Sequence, residues 1–343
     1  MTRRIVILTA RLETATPKTA VNLLRYLPDE IVAVVDAEHH GKSCAELFGI
    51  ELNIPVVGSL NDIEADTLIL GTAPAGGKIP PEMRSVLLEA LRRKMNVVSG
   101  LHEFLSDDPA LVEVARIHGG TIQDVRKNQE RDVAQRQGID ERCLRIHTVG
   151  QDCNVGKMVV SLELARAFQA QDCSAKFVAT GQTGIMIEGD GCPVDAVVVD
   201  FINGAAEKLV LRNQHHEILL IEGQGSIVHP RYSAVTLGLL HGCMPDGLIL
   251  CYEVGRQTVA GMPQIKLPSL QQCIHLYETM ANAMHPCRVI GIAMNGRLVT
   301  EQEATVERKM IQNEIGLPVC DVLRDGPGEL IEAIRGLKSQ LGK

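Results

Sequence analysis

One stretch decides the fold of the second half of the chain: residues 145–170 read RIHTVGQDCNVGKMVVSLELARAFQA. Its alternation of β-branched residues predicts a strand from Arg145 to Val149, and the apolar spacing that follows predicts a helix from about Gly156 to Ala170. Between the two lies a glycine-bounded loop that ends in Gly-Lys. A strand, such a loop and a helix in succession are typical of a phosphate-binding loop in an α/β fold.

The loop and the first helical residues are candidates for binding a phosphorylated cofactor. Backbone N–H groups and a helix N-terminus hold phosphate oxygens, and Lys157 adds a positive charge. The candidate residues are Gly150, Asp152, Cys153, Asn154, Val155, Gly156, Lys157 and Met158. The alternative is a plain glycine turn between strand and helix, with Lys157 on the surface.

This loop departs in two ways from the common pattern GxxxxGK[ST]. It is one residue longer, and Met158 stands where a hydroxyl would hold Mg²⁺,. Transfer of a γ-phosphoryl group normally needs that metal ion, whereas a diphosphate can be held without one. The sequence therefore favours diphosphate binding over ATP hydrolysis, and it predicts no residue as a metal ligand.

A second glycine-lysine stretch, residues 71–78, has the same spacing after a strand. Pro80 and Pro81 follow it and have no N–H to offer an anion, so it is a weaker candidate. We interpret Gly76 and Gly77 as a flexible turn beside a substrate cleft or as a plain loop.

A third candidate region follows the predicted strand from Ile218 to Ile221. Glu222 comes at the carboxyl end of that strand, where parallel sheets bind ligands, and the flanking glycines allow close approach to the backbone,. His229 lies a few residues further on, and imidazole is the usual proton acceptor near neutral pH. Both residues are candidate catalytic groups. The alternatives are a buried, hydrogen-bonded acid and a loop histidine.

Composition excludes several classes of function. The net charge is −8, which disfavours nucleic acid or an anionic membrane as a partner, and only 3% of residues are aromatic, which leaves little for base stacking,. The ten cysteines include no CxxC pair, and the N-terminus lacks a signal-peptide pattern,. We expect reduced thiols, a cytoplasmic protein, a small-molecule substrate and no membrane span.

Strands and helices alternate along the whole chain, so the expected fold class is α/β with two parallel-sheet domains. The first is Rossmann-like but lacks a GxGxxG turn after its first strand, which argues against a nicotinamide or flavin cofactor. A charged, glutamine-rich segment places the boundary near Arg142, giving domains 1–142 and 143–343. The predicted strands are Ile5–Leu8, Ile31–Val35, Val56–Val57, Thr67–Leu70, Asn96–Ser99, Arg145–Val149, Lys176–Ala179, Ala196–Val199, Ile218–Ile221, Gly247–Cys251 and Val289–Ala293.

The loop 150–157, together with Glu222-Gly223-Gln224-Gly225, resembles the P-loop of dethiobiotin synthetase and its relatives. Across nearly its whole length, including residues 179–184, 195–200 and 225–230, the chain is more similar to a family first described as a domain of unknown function. That family joins a Rossmann-like N-terminal domain to a P-loop C-terminal domain. Its characterised branch consists of D-glutamate N-acetyltransferases of the DgcN type.

The resemblance implies acetyl-CoA as donor and an acidic amino acid as acceptor. Arginines would hold the acceptor's carboxylates, and Arg231, Arg256 and Arg324 each follow a predicted strand end,. Tyr232 is a further substrate-binding candidate. The N–H groups near Gly181 or Gly223 would stabilise the oxyanion, and His229 or Glu222 would remove the amine proton.

Two other functions stay open from the sequence. The first is an ATP- and Mg²⁺-dependent ligase or kinase of the dethiobiotin synthetase type, with Glu222 and Asp200 holding the metal ion. The second is a nucleotide-binding regulator without turnover. In each case we expect a homo-oligomer.

Overall fold

The computed structural model describes residues 3–10, 12, 17–72, 79 and 81–343. The chain divides into two compact units, one comprising residues 1–128 and 185–189 and the other residues 129–184 and 190–343. Each unit is built on a parallel six-stranded sheet with helices around it. The α/β fold class with two parallel sheets is therefore confirmed.

Six strands form the sheet of the first unit: β1 (Ile5–Leu8), β2 (Ile31–Val35), β3 (Val56–Val57), β4 (Thr67–Leu70), β5 (Asn96–Ser99) and β6 (Thr121–Asp124). Their order is β3-β2-β1-β4-β5-β6, with every neighbouring pair parallel. The sequence predicts the first five with the bounds observed. It misses β6 because TIQD is a polar edge strand whose side chains alternate between exposed and half-buried.

Four helices connect these strands: α1 (Lys18–Tyr26), α2 (Cys44–Phe48), α3 (Pro81–Arg92) and α4 (Pro109–His118). Proline at the start of α3 and α4 costs no hydrogen bond, because the first N–H groups of a helix have no partner within it. Buried aliphatic side chains from the strands and from α3 and α4 form the core of this unit.

The second unit has the sheet that carries the phosphate-binding loop. Its strands are β7 (Leu144–Gly150), β8 (Ala175–Val178), β9 (Ile218–Ile221), β10 (Gly247–Glu253), β13 (Arg288–Asn295) and β14 (Val319–Cys320). The order is β14-β13-β10-β7-β9-β8, again all parallel. Strand β7 is therefore central, and the loop that follows it opens at the carboxyl edge of the sheet, where α/β proteins bind ligands.

The remaining elements surround this sheet. They are α5 (Lys157–Gln169), residues 182–184 of α6 (Gln182–Glu188), α7 (Ile202–Asn213), α8 (Ser233–Cys243), the antiparallel hairpin of β11 (Thr258–Val259) and β12 (Met262–Lys266), α9 (Leu270–Asn282), α10 (Glu301–Ile315) and α11 (Gly328–Leu341). The remaining residues of α6 belong to the first unit. Two clusters of buried, mainly aliphatic side chains pack in this unit. Among the described residues, no helix is both long enough and apolar enough to span a bilayer.

The strand expected at 196–199 is wrong. Residues Val194–Ala196 and Val199–Phe201 form two short 3₁₀ turns instead. Val194 donates its N–H to the carbonyl of Thr180, which holds this segment on the turn after β8, and Val198 and Val199 are more than half exposed. Three consecutive valines favour a strand locally, but β-propensity acts through packing on a sheet, and here no strand pairs with them,.

The contacts divide the chain at Asn128, earlier than the expected boundary at Arg142. The intervening segment hydrogen-bonds within the second unit: the Glu207 carboxylate accepts from the N–H groups of Gln135 and Arg136, and Gln214 accepts from Asp140. Where the second domain begins as a folding unit stays a prediction.

Candidate functional site

The phosphate-binding loop connects the end of β7 to the start of α5. Asn154 and Gly156 have positive φ angles of 57° and 106°, the second of which favours glycine strongly,. Gly156 caps α5 without a side-chain hydrogen bond to the helix. Within the part of the chain that the structure describes, the N–H groups of Val155 and Gly156 donate to no other residue. The loop thus offers free donors at a helix N-terminus, which is the arrangement that binds phosphate.

Lys157 lies inside this loop and not on the protein surface. Only 7% of the residue is exposed, and its ammonium donates to the carbonyl oxygen of Asp152 at 2.9 Å. Burial lowers the pKa of Lys157 from its ordinary value, because the charged form loses hydration,. A surface lysine on a plain turn does not fit this geometry.

Two glycines make room for the Lys157 side chain. A Cβ atom on Gly223 would lie 1.8 Å from the Thr148 carbonyl oxygen and 2.8 Å from Cδ of Lys157. A Cβ on Gly150 would lie 2.8 Å from Nζ of Lys157. Any side chain at either position would displace the backbone or the lysine, so the ends of β7 and β9 need glycine here.

The start of α5 has no hydroxyl for a metal ion. Met158 is 5% exposed and packs into the protein. The first hydroxyl of the helix belongs to Ser161, which is fully buried and contacts the Thr148 hydroxyl at 2.9 Å. The site therefore lacks the ligand through which phosphate-binding loops usually hold Mg²⁺.

Asp152 fixes the loop to the turn of the β11–β12 hairpin and to Arg256, which precedes the hairpin. It is fully buried, and its carboxylate accepts from the N–H groups of Cys153 and Ala260, both at 2.7 Å. Arg256 donates to the same carboxylate at 3.0 Å. Arg256 also donates to the Cys153 carbonyl and to Glu253, so its guanidinium is already committed within the protein.

Glu222 holds the turn that follows β8. Its carboxylate accepts from the N–H groups of Thr180 at 2.9 Å and Gly181 at 3.1 Å, and from the Gln224 amide at 3.0 Å. Gly223, in turn, donates its N–H to the Thr148 hydroxyl. The N–H groups of Gly181 and Gly223, expected to face an oxyanion, thus donate to protein groups in this structure, and their oxyanion role stays a prediction.

His229 is buried and has one defined tautomer. Its Nδ1 accepts from the N–H of Arg231 at 3.1 Å, so Nε2 carries the proton and donates to the Ala260 carbonyl at 3.2 Å,. The ring packs against Tyr232 with a centroid distance of 4.6 Å. To accept a proton from a substrate, Nδ1 must first release the N–H of Arg231.

The three candidate arginines have different surroundings. Arg256 pairs with Asp152 and Glu253, as described above. Arg324 donates to the carbonyls of Gly296, Val299 and Thr300 and so holds the loop after β13. Arg231 is exposed, and its guanidinium has no hydrogen bond or ion pair among the residues that the structure describes. Tyr232, beside it, is 45% exposed. Within the described part of the chain, Arg231 and Tyr232 are therefore the substrate-binding candidates whose side chains are exposed and have no hydrogen-bond partner.

Both domains of this chain match known protein families. The P-loop domain described as "Domain of unknown function (DUF1611_C)" matches residues 128–331, and the Rossmann-like domain described as "Domain of unknown function (DUF1611_N)" matches residues 37–128. The chain belongs to the DUF1611 family. The resemblance to this family, drawn from residues 179–184, 195–200 and 225–230, is confirmed, as is the pairing of the two domain types.

Relatives of this DUF1611 protein include named enzymes. It is 38% identical to a protein of Tritonibacter scottomollicae named D-glutamate N-acetyltransferase, covering 92% of this chain and 93% of the relative. A protein of the same name from Pseudoalteromonas is 34% identical, with coverage of 92% and 95%. A crystal structure of a DUF1611 family protein from Anabaena variabilis is similar with a TM-score of 0.92 at 40% identity, covering 97% of this chain and 99% of that one.

Asp152, Cys153 and His229 of this DUF1611 protein bring three possible metal-ligand atoms within 4.8 Å of one another. Their hydrogen bonds do not suit a cation. The Asp152 carboxylate accepts three hydrogen bonds, one of them from the positively charged Arg256, and both ring nitrogens of His229 are used. A metal ion would have to displace several of these bonds, so the cluster is better explained as a support of the loop.

One residue that no sequence motif indicates joins two parts of the site. The Tyr277 hydroxyl on α9 donates to the Gly150 carbonyl at 2.8 Å and accepts from the N–H of Ile227 at 3.1 Å. Burial raises the pKa of Tyr277 above its ordinary value, which keeps the hydroxyl protonated,. The available signal was its rarity: the chain has only 4 tyrosines, and an aromatic residue in an aliphatic core often carries a hydrogen bond,.

The second glycine-lysine stretch cannot be compared with its prediction. Residues 73–78 and Pro80 lie outside the described residues. Gly71, which precedes them, is described, and a Cβ there would lie 2.4 Å from Cγ2 of Ile7. Glycine at that position therefore serves close packing at the end of β4.

Proposed function

We propose that this DUF1611 protein is an N-acetyltransferase that uses acetyl-CoA and acetylates an acidic amino acid such as D-glutamate. One observation carries the proposal: the loop 150–158 joins a buried lysine and free N–H donors to a helix start without a metal-binding hydroxyl. That combination suits the diphosphate of CoA better than the metal-dependent chemistry of ATP. The named relatives, which match over 92% of this chain, support the same activity.

The residues of the loop fit the diphosphate of the donor. The N–H groups of Val155 and Gly156 and the ammonium of Lys157 would hold its oxygens, and Lys157 would exchange its hydrogen bond to the Asp152 carbonyl for one to phosphate,. When bound, acetyl-CoA supplies an acetyl group activated as a thioester.

The acceptor would bind beside Arg231. A free guanidinium suits a carboxylate, to which arginine can donate two parallel hydrogen bonds. Arg256 and Arg324 could serve the acceptor only by giving up the bonds that hold Asp152 and the loop after β13. Tyr232 adds an exposed phenol at the same place.

His229 is the proposed base. Nδ1 would accept the proton of the acceptor's amino group after the N–H of Arg231 moves away, while the hydrogen bond from Nε2 to the Ala260 carbonyl keeps the ring oriented,. Glu222 would have to release the turn at residues 180–181 to act as a base, because its oxygens hold three donors. We therefore assign it a positioning role.

The ATP-dependent alternative has less support. It needs a metal ion, but Met158 is apolar and the Ser161 hydroxyl is hydrogen-bonded to the Thr148 hydroxyl. Asp200, which would replace the missing ligand, is exposed on the 3₁₀ turn Val199–Phe201. A nucleotide-binding regulator would make the same use of the loop without turnover.

A direct assay tests the proposal. The purified protein is mixed with acetyl-CoA and, in separate reactions, with D-glutamate, L-glutamate or D-aspartate, and release of the CoA thiol is followed with a thiol reagent. Phosphate release from ATP with Mg²⁺ is measured in parallel. We expect thiol release that depends on an acidic amino acid. If acetyl transfer to all three amines is absent and ATP is hydrolysed steadily, the acetyltransferase proposal is wrong and the ligase alternative is favoured.

We also propose that the protein is cytoplasmic and a homo-oligomer. None of the ten cysteines forms a disulfide and most of them are buried, which suits a reducing compartment,. Light scattering after size-exclusion chromatography gives the number of subunits, and a mass equal to one chain would contradict the oligomer.

A further inference from the structure

Four hydrogen bonds in series connect the phosphate-binding loop to the acceptor side of the site. The Lys157 ammonium donates to the Asp152 carbonyl at 2.9 Å, and the Asp152 carboxylate accepts from the N–H of Ala260 at 2.7 Å. The Ala260 carbonyl accepts from Nε2 of His229 at 3.2 Å, and Nδ1 of His229 accepts from the N–H of Arg231 at 3.1 Å. We call these five residues the Lys157–Arg231 relay.

Ala260 makes both hydrogen bonds at the middle of the relay. It lies with Gly261 in the two-residue turn of the β11–β12 hairpin. Its N–H donates to Asp152 and its carbonyl accepts from His229, so a single residue contacts both the loop and the proposed base. The same turn lies beside the Arg231 guanidinium, because a Cβ on Gly261 would be 3.5 Å from Nη1 of Arg231.

Most side chains of the relay are closed to solvent. Asp152 is fully buried, and His229 and Lys157 are only 1% and 7% exposed. A buried polar group that loses its partner is costly, so a change at one end of the relay shifts its neighbours. The Asp152 carboxylate also accepts from the N–H of Cys153 and from Arg256, and these bonds hold it if the Ala260 bond is lost.

The chain on either side of the relay is fixed by other hydrogen bonds. The Tyr277 hydroxyl donates to the Gly150 carbonyl and accepts from the N–H of Ile227. The Ser226 hydroxyl donates to the Gln151 carbonyl at 3.2 Å. Residues 150–151 and 226–227 are therefore held together directly. A displacement that begins at residue 152 passes to the hairpin turn while these segments stay in place.

We propose that the relay couples donor binding to acceptor binding, with Ala260 as the positioning residue; the inference rests on the proposed function. When phosphate oxygens take the Lys157 ammonium, the Asp152 carbonyl loses its donor, and Asp152 moves together with the Ala260 that its carboxylate holds. The bond from Nε2 to Ala260 then draws the His229 ring away from the N–H of Arg231. Nδ1 becomes free for the acceptor's amino group once the donor is bound.

Pyrophosphate tests the coupling, because it resembles the diphosphate of the donor and carries no pantetheine arm that could touch the acceptor. Calorimetry gives the dissociation constant of D-glutamate alone and with saturating pyrophosphate or CoA, neither of which can transfer an acetyl group. Each should tighten the binding of D-glutamate by about fivefold or more, as is typical of coupled sites. D-glutamate should tighten the binding of CoA by the factor with which CoA tightens that of D-glutamate.

Ala260→Pro interrupts the relay at one bond. Ala260 has no positive φ and Gly261 has a φ of 69°, the sign pattern of a type II turn, which favours proline at its first position,. Proline removes the N–H donated to Asp152 and keeps the carbonyl for His229. The coupling should disappear to within about twofold, while CoA alone still binds. Ala260→Ser keeps both backbone groups at this half-exposed position and is the matched control, in which the coupling should persist.

Hydrogen exchange of the unaltered protein needs no variant. Pyrophosphate alone should speed exchange in the peptide covering residues 229–233, because the N–H of Arg231 loses its acceptor,. Unchanged exchange there, coupling retained in a folded Ala260→Pro protein, or a D-glutamate affinity that neither pyrophosphate nor CoA alters overturns the relay and leaves the acetyltransferase proposal standing. If the unaltered protein binds no CoA, the proposed function fails and the relay with it.

Discussion

The carboxylate of Asp152 and the guanidinium of Arg256 lie 3.0 Å apart and form an ion pair that is closed to solvent on the Asp152 side. The pair joins the phosphate-binding loop to the chain segment before the β11–β12 hairpin. Arg256 contacts Glu253 as well, and Arg297 pairs with the other oxygen of that carboxylate. An arginine that the sequence assigns to substrate thus supports the shape of the loop in this structure.

Replacing Arg256 by alanine should destabilise the protein strongly. Asp152 would be left fully buried without its arginine partner, and removing one partner of a buried ion pair costs about 3–5 kcal/mol,. Urea unfolding measures the change. Arg231→Ala is the matched control and should change the unfolding free energy by less than about 0.5 kcal/mol, because that guanidinium is exposed,. A loss as small as the control's in Arg256→Ala would show that the pair does not hold the loop.

The different surroundings of Arg231 and Arg256 could not be predicted from the sequence, whereas much of the fold could. Strands β1–β5 are short β-branched runs whose local pattern agrees with their burial in a parallel sheet, so their bounds follow from the sequence,. The loop 150–157 is also predictable, because its glycines and Lys157 lie within one short stretch of sequence. The partner of Arg256, Asp152, is 104 positions away in the chain. A contact between residues so far apart leaves no pattern in a single sequence.

Lys157→Ala should weaken donor binding without unfolding the protein. A hydrogen bond from a charged group contributes about 1.5–3 kcal/mol, so the dissociation constant of acetyl-CoA should rise by roughly tenfold or more. The unfolding free energy should change by less than about 1 kcal/mol, because the ammonium gains one carbonyl hydrogen bond but loses its hydration,. Calorimetry and urea unfolding measure the two effects, with the exposed Lys309→Ala as control. An unchanged affinity would remove the loop from the donor site.

His147 should make the protein sensitive to acid. Its Nδ1 donates to the Ile221 carbonyl at 3.2 Å, and its Nε2 is buried without a partner among the described residues. Burial lowers the pKa of His147 to about 4. The unfolded chain binds this proton below pH 6.5 but the folded protein does so only near pH 4, so stability present above pH 6.5 is lost as the pH falls.

The variant His147→Leu has no imidazole at this position, so neither its folded nor its unfolded state binds that proton. Between pH 7 and pH 5 the unaltered protein should lose about 2 kcal/mol more unfolding free energy than the variant does. The exposed His275→Leu should follow the unaltered protein. Urea unfolding at the two pH values gives the comparison, and parallel losses in His147→Leu and the unaltered protein would mean that His147 is not held neutral by burial.

His229→Ala tests the assignment of the base against Glu222. If Nδ1 of His229 takes the amine proton, the variant should lower kcat by roughly 10²- to 10⁴-fold, leave the dissociation constant of acetyl-CoA within about twofold, and lose the acidic limb of the kcat/KM profile. Glu222→Gln is the comparison: it keeps an oxygen for the N–H groups of Thr180 and Gly181 but removes the charge. A positioning role predicts lower stability and a retained acidic limb for Glu222→Gln, because the turn after β8 loosens while the imidazole is intact. If instead Glu222→Gln abolishes that limb and His229→Ala keeps it, the base is Glu222, and the three hydrogen bonds at its carboxylate must open during turnover.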